Sequence, residues 1–235
     1  MRLITAAGQT LGQRRSQNDA YVYDSTKVIV ADGVGADEGA RDVAATVVAS
    51  YSRLSWSGES DEVRKALGAA PRVAAETLAD AHLTGATTIA AAGLTGSGKL
   101  WVTSVGDSQV AIFRKGTRLY ESPLHNERGD IGNLAGSRHV LTRYVSSKAD
   151  FVPEIYGSDA MAGDVVLITT DGVHEVLNRA QIESILVDLP QPGESGLADA
   201  VGRILRDVAE AGQDDNATCC LAMVVDDSAN DSNAP

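Results

Sequence analysis

Cysteine is almost absent from this chain of 235 residues, and the two that occur, Cys219 and Cys220, are neighbours in an apolar stretch. Adjacent thiols form neither a zinc-ligand spacing nor a disulfide framework, so buried, reduced side chains in a cytoplasmic protein are expected. Long apolar runs are also missing, and none approaches the length of a membrane-spanning helix. Met1-Arg2-Leu3-Ile4-Thr5 carries no apolar h-region, so no signal peptide is expected. Basic residues are outnumbered, 20 against 32 acidic ones, for a formal net charge of −12, and they are scattered. Nucleic acids and anionic membranes reward basic patches, so neither is an expected partner. No shift of composition marks a second domain, and the length suffices for one sizeable core. One domain over residues 1–225 is expected, followed by a tail, 226–235, of disordered composition.

What is present is a series of short apolar strands and longer helical patterns. Lys27-Val28-Ile29-Val30-Ala31 reads as a buried strand ending at Asp32-Gly33. Ala and Val recur at helical spacing from Gly39 to Leu54, and a second helical pattern runs from Asp61 to His82. Pro71 interrupts the second, predicting two helices or one kinked helix. Thr88 to Ala92, the turn Thr95-Gly96-Ser97-Gly98, and Leu100 to Val105 read as a hairpin. Strands at Gln109–Phe113, Val165–Thr170 and Ala217–Val225 follow, with helical patterns over Val173–Val187 and Ser195–Ala211. Residues 121–150 are polar, punctuated by Pro123, Gly129 and Gly132, and form an irregular surface segment, a candidate substrate-facing flap. Strands and helices come in blocks, which predicts α+β layers rather than strict βαβ alternation.

Two Asp-Gly pairs break a local rule. Asp-Gly between apolar runs is a strong hairpin signal, and a type I′ turn is the plain reading of each. After Asp32-Gly33, however, Val34-Gly35-Ala36-Asp37-Glu38-Gly39 leads into a helix, and after Asp171-Gly172 the period is again helical. Each aspartate thus sits where a buried strand ends, a frequent place for site residues on a rigid scaffold. Asp107, in Gly106-Asp107-Ser108, and Asp215, in Asp214-Asp215-Asn216, occupy similar places, although both tripeptides are common turn sequences. Four aspartates at strand ends can converge on one sheet edge. An all-oxygen cluster suits hard divalent ions such as Mg²⁺ or Mn²⁺, and without cations it would be strongly self-repelling.

The order of motifs resembles the metal-dependent serine/threonine protein phosphatases of type 2C, in their bacterial form. The pieces are Gly12-Gln13-Arg14-Arg15-Ser16-Gln17-Asn18-Asp19, Val30-Ala31-Asp32-Gly33-Val34-Gly35, Gly85-Ala86-Thr87-Thr88, Val105-Gly106-Asp107-Ser108, Leu141-Thr142-Arg143, Gly163 to Gly172, and Asp215-Asn216-Ala217-Thr218. Each is weak alone; seven in that order, spanning Gly12 to Val225, are not. The resemblance implies a single catalytic domain, a four-layer αββα sandwich with two central antiparallel sheets. It implies two metal ions, Mn²⁺ or Mg²⁺, with a third as an option. By position, Asp32 resembles the carboxylate bridging both ions, with the Gly33 carbonyl on one of them. Asp171 and Asp215 resemble ligands of the other ion, and Asp107 the ligand of a third. Arg14 resembles the phosphate-binding arginine, with Arg15 as the alternative if the alignment slips by one, and Asp19 fits the acidic position closing that motif.

Departures stand at Gln17 and Asn18, where Asn and an acidic or glutamine side chain are usual, and at Val34, where some members carry a histidine. His82, His125, His139 and His174 are placed by no motif and read as surface or loop residues. The implied chemistry is direct: ions lower the pKa of a bridging water from about 15.7 toward neutrality, and the hydroxide attacks phosphorus in line while Arg14 steadies the equatorial oxygens. Implied partners are phosphorylated proteins and, in bacteria, a kinase set against the phosphatase. Two rivals differ in class. A phosphoprotein-binding module of this fold without catalysis would not need Asp32, Asp171 and Asp215. An aspartyl-phosphate enzyme usually has a second Asp two residues after the first, where Val34 stands.

Overall fold

The computed structural model describes residues 1–35, 38–56, 58–128, 139–187 and 193–227. Its elements, in chain order, are β1 (Arg2–Thr10), β2 (Asp19–Tyr23), β3 (Lys27–Val34), α1 (Glu38–Ser52), α2 (Ser60–Asp80), β4 (Ala86–Thr87), β5 (Ile89–Leu94), β6 (Lys99–Val105), β7 (Gln109–Arg114), β8 (Thr117–Glu121), β9 (Asn126–Arg128), β10 (His139–Leu141), β11 (Glu154–Asp159), β12 (Val165–Thr169), α3 (Asp171–His174), α4 (Arg179–Val187), α5 (Glu194–Glu210) and β13 (Ala217–Val225).

Two antiparallel sheets stack face to face. One runs β1-β13-β12-β7-β8; the other runs β11-β6-β5-β3-β2, with β4 paired to β3. The period of two along each central strand sorts side chains between layers. In β3, Val28 and Val30 enter the core between the sheets, while Ile29 and Ala31 meet α1 and α2. In β13, Cys220, Ala222 and Val224 face the other sheet, while Cys219, Leu221 and Met223 pack under α3, α4 and α5. Such strands are buried on both faces, which is why they read as continuous apolar runs. The result is four layers, helix–sheet–sheet–helix, as the resemblance implies. The two cysteines are free and buried on opposite faces of one strand. Among the described residues no helix is long and apolar enough to cross a membrane.

Several expectations are decided or corrected. Of the alternatives at Pro71, the structure has the single helix, 21 residues long. Val63, Leu67, Ala70, Ala74, Ala75 and Leu78 are buried along it, and this packing outweighs the cost of roughly 3 kcal/mol for an interior proline. The helical pattern over 173–187 divides into α3 and α4. The strands that went unread include β1, β2 and β11. β1 carries the weak strand formers Ala6-Ala7-Gly8 at its centre, and its strand form comes from nine pairs with β13, Arg2↔Val225 through Thr10↔Ala217, with α5 laid over it. A side chain at Gly8 would meet Leu205 and Val201 of α5, so glycine lets helix and strand close up. The segment 121–150 is less irregular than expected, because β9 and β10 form a small hairpin, Arg128↔His139 to Asn126↔Leu141. Residues 129–138 of that segment and 228–235 of the expected tail lie outside the described residues.

Candidate active site

At one end of the sandwich the chain forms a cleft of about 990 Å³. Asp32, Asp107, Asp171, Asp215 and Gly33 all line it, with Arg14 and Arg15 on its rim. Residues more than 180 positions apart therefore meet because β3, β6, β12 and the approach to β13 bring their ends to the same edge.

Asp32 is held by hydroxyl groups and backbone. Its N–H donates to Thr88 Oγ1 (2.9 Å), while its carbonyl accepts from Thr87 Oγ1 (2.7 Å) and from the Thr88 N–H (2.9 Å). Thr88 Oγ1 also shares a 2.6 Å hydrogen bond with Ser108 Oγ, joining the Asp32 and Asp107 loops. Gly33 has a steric reason in addition to any carbonyl role: a Cβ there would strike the Ala40 carbonyl of α1. Gly172 is similar, since a Cβ would land on the Asn216 carbonyl, so both Asp-Gly glycines mark close backbone contacts rather than hairpin turns.

Asp19 lies beneath this floor, opposite Asp32 in the β2–β3 register. Thr170 Oγ1 (3.0 Å) and Thr218 Oγ1 (2.6 Å) donate to its Oδ2, and the Thr218 N–H donates to Thr170 Oγ1 (2.9 Å). One buried carboxyl thus ties the two sheets together under the site. Gln17 and Asn18 turn inward as well. The Asp19 N–H donates to Gln17 Oε1, the Asn18 N–H to Asn216 Oδ1, and Asn18 Nδ2 to the Gly35 carbonyl. Both unusual side chains therefore fasten the loop that carries Arg14.

Electrostatics divide the aspartates. Burial, then the neighbouring charges of Asp19, Asp171, Asp215 and Asp107, push the Asp32 carboxyl well above its usual range. Burial, then Asp107 and Asp215, push Asp171 up to about 8, and its Oδ1 is buried with no hydrogen-bond partner. Asp19 is raised to about 6, mainly by burial, with the Thr218 and Thr170 hydroxyls pulling back. Asp215 differs: it is half-exposed and ion-paired with Arg14, its Oδ1 accepts from the Asn216 N–H (2.8 Å), and its carbonyl accepts from Gln213 Nε2. Arg15 is exposed on the rim.

Among the described residues no three His, Cys, Asp or Glu side chains form a ready-made cage for one ion. The donors nevertheless fit a hard cation. A buried carboxyl oxygen without a partner, in a cluster of carboxyls that burial and mutual repulsion keep from ionising, is what a bound positive charge would compensate. Two carboxylates, a carbonyl and water complete such a shell without a three-carboxylate cage.

Sequence reasoning missed the roles of Thr87, Thr88, Thr170, Thr218, Asn216 and His125. His125 is not a surface residue: it is buried, with its Nδ1 accepting from the Gly106 N–H (3.1 Å). His174 Nδ1 is hydrogen-bonded to Thr169 Oγ1 (2.9 Å). Hydroxyl residues directly after strand ends were the available signal for the threonines; nothing in the sequence signalled His125.

A model of the protein phosphatase 2C family matches residues 13–206, more than half of the chain. The chain belongs to the protein phosphatase 2C family and is a protein serine/threonine phosphatase. Solved structures share its fold. The catalytic domain of the serine/threonine protein phosphatase PstP, in complex with 2 manganese ions, is 24% identical, with a TM-score of 0.79 over 96% of this chain and 99% of that one. The Ser-Thr phosphatase MsPP from Mycobacterium smegmatis, in complex with cacodylate, is 25% identical, with a TM-score of 0.74 over 94% and 97%. The serine/threonine phosphatase Stp1 from Staphylococcus aureus is 18% identical, with a TM-score of 0.79 over 95% and 96%. No curated protein matches the chain significantly in sequence.

Proposed function

We propose that this phosphatase hydrolyses phosphoserine and phosphothreonine in proteins using two divalent ions, Mn²⁺ or Mg²⁺. Asp32 would face both ions, the Gly33 carbonyl one, and Asp171 with Asp215 the other, with Asp107 available to a third. The observation that carries this reading is the convergence of these four aspartates, from four separate strand ends, on one cleft with Arg14 at its rim. When bound, the ions supply positive charge and acidify water, the source of the nucleophile.

The chain's own residues do the rest. Arg14 offers a planar fork to two phosphate oxygens, turning the ester bond toward solvent and the phosphorus toward the floor. To do so it leaves Asp215, with which it pairs in this structure. The threonine and serine hydroxyls around Asp32 fix the floor before substrate arrives, so little reorganisation is left for the reaction itself. Val34, Leu141 and Val176 give the cleft an apolar wall that limits water beside the ester. No histidine among the described residues lines the cleft, so in this reading solvent protonates the leaving alkoxide. Phosphorylated cytoplasmic proteins, and a kinase acting on the same sites, are the matching partners.

An aryl phosphate assay tests the reading. Hydrolysis should require Mn²⁺, vanish with chelator, and fall at least about 100-fold in Asp171→Ala. Turnover that persists in chelator would overturn it, and Mn²⁺ binding without turnover would mark a non-catalytic phosphoprotein-binding module.

A further inference from the structure

We propose that His125 is a positioning residue that clamps the β6–β7 turn and thereby fixes Asp107 toward the cleft. The inference rests on the reading above, in which Asp107 takes part in ion binding.

His125 holds both polar groups of Gly106. The Gly106 N–H donates to His125 Nδ1 (3.1 Å), and the His125 N–H donates back to the Gly106 carbonyl (2.9 Å). The next residue along reaches Asp107 itself: Asn126 Nδ2 donates to Asp107 Oδ2 (3.2 Å). On the far side, the Thr142 N–H donates to the His125 carbonyl (2.8 Å). One buried residue therefore joins three segments: the Asp107 turn, the entry to β9, and the exit from β10. The turn has little freedom of its own. Gly106 stands at φ +96°, and a Cβ there would meet the Thr88 side chain at 2.7 Å, so the turn is pressed against the residue that also holds Asp32.

The chemistry of the clamp requires an acceptor at one place. A backbone N–H can only donate, so Nδ1 must present its lone pair, which leaves the ring proton of the neutral imidazole on Nε2. An apolar side chain would leave the Gly106 N–H buried and unpaired, a cost the turn could escape by moving Asp107. Asparagine can replace the acceptor, because its Oδ1 lies as many bonds from the backbone as Nδ1 does.

The test compares His125→Leu with His125→Asn in the full chain, by calorimetric Mn²⁺ titration and by aryl phosphate kinetics over a range of Mn²⁺. Loss of an outer-shell partner of this kind costs roughly 10–100-fold in metal affinity. The weakest Mn²⁺ binding step should therefore weaken by about tenfold or more in His125→Leu, with kcat falling more than KM changes, and His125→Asn should recover most of the loss. Adding His125→Leu to Asp107→Ala should bring no further loss of Mn²⁺ affinity, since His125 acts on ion binding only through Asp107. Equal Mn²⁺ binding in His125→Leu and the unaltered chain, no rescue by asparagine, or additive losses would each overturn the proposal. If His125→Leu does not fold, Asn126→Leu decides it: this change removes the Asn126 Nδ2 donor to Asp107, and unchanged Mn²⁺ binding would sink the clamp. Calorimetry needs no turnover, so an inactive but Mn²⁺-binding unaltered chain would refute the phosphatase reading while leaving this proposal to be judged separately.

Discussion

In the proposed reading Asp171 and Asp215 would serve the same ion, yet the fold treats them in opposite ways. Asp171 opens a short helix at a strand exit; it is pushed up to about 8 by burial and by its acidic neighbours, and one of its oxygens has no partner. Asp215 sits in a loop, half-exposed, with Arg14 already neutralising it. The floor of the cleft therefore holds carboxyls that cannot carry charge comfortably without a cation. The rim holds one that has found a cation in the chain. In the proposed reading the floor is what would depend on ions, whereas the rim is free to exchange one positive partner for another.

The sharpest way to break this contrast is at Asp32. Asp32→Asn keeps the shape but removes the charge that would face both ions. Loss of at least about a thousandfold in kcat/KM is expected, equivalent to roughly 4 kcal/mol of transition-state stabilisation. Asp215→Asn should cost less. Steady-state kinetics with saturating Mn²⁺ check the order, and equal losses would remove the distinction between floor and rim.

A second test reads stability without catalysis. Asp171 and Asp19 have folded pKa values, about 8 and about 6, above the usual carboxylate value near 3.8. Between 3.8 and those values the folded state binds more protons than the unfolded one, so stability contributed by these groups is present at low pH and is lost as pH rises. In chelator, the urea midpoint should fall from pH 5.5 to pH 8.5, and Mn²⁺ should restore more at the higher pH. Asp171→Asn should flatten the decline most, while Asp215→Asn, which removes only one of the charges raising Asp171 and Asp19, should flatten it less. A midpoint that rises with pH in chelator would show that these carboxyls are not the destabilised groups.

How much of this was legible in the sequence follows the same division. Asp32 and Asp171 announced themselves because an Asp-Gly pair after a buried strand ran into a helix, a conflict between a local rule and the chain's continuation. Central strands such as β3, β12 and β13 were visible because burial on both faces makes them uniformly apolar. β1, β2 and β11 were not: β1 owes its form to β13 and α5, and the other two lie at the edges of their sheet. The convergence of the aspartates was expected from strand ends together with the family resemblance. The hydroxyl scaffold beneath them was not, because a threonine bonded to an aspartate 151 residues away, as Thr170 is to Asp19, leaves no local pattern. His125 was misread for the same reason: its partner, Gly106, is 19 residues earlier and uses only backbone atoms.

The smallest expected effect is also the most direct check on the rim. Two arginine–aspartate pairs among the described residues differ in depth. Arg114 forks onto Asp164 through two 2.7 Å bonds, and the Asp164 side chain is only 1% exposed. Removing that arginine strands a buried charge and should cost about 3 kcal/mol or more. Arg14 and Asp215 are 37% and 39% exposed, so water screens the pair and already solvates each partner. Arg14→Ala should therefore change unfolding stability by less than about 1 kcal/mol in chelator, and by less still at high salt. The same substitution should raise KM for phosphoprotein substrates, because the side chain removed is the proposed phosphate fork. A large stability loss with unchanged KM would mean that Arg14 belongs to the scaffold, and that phosphate capture must be sought at Arg15.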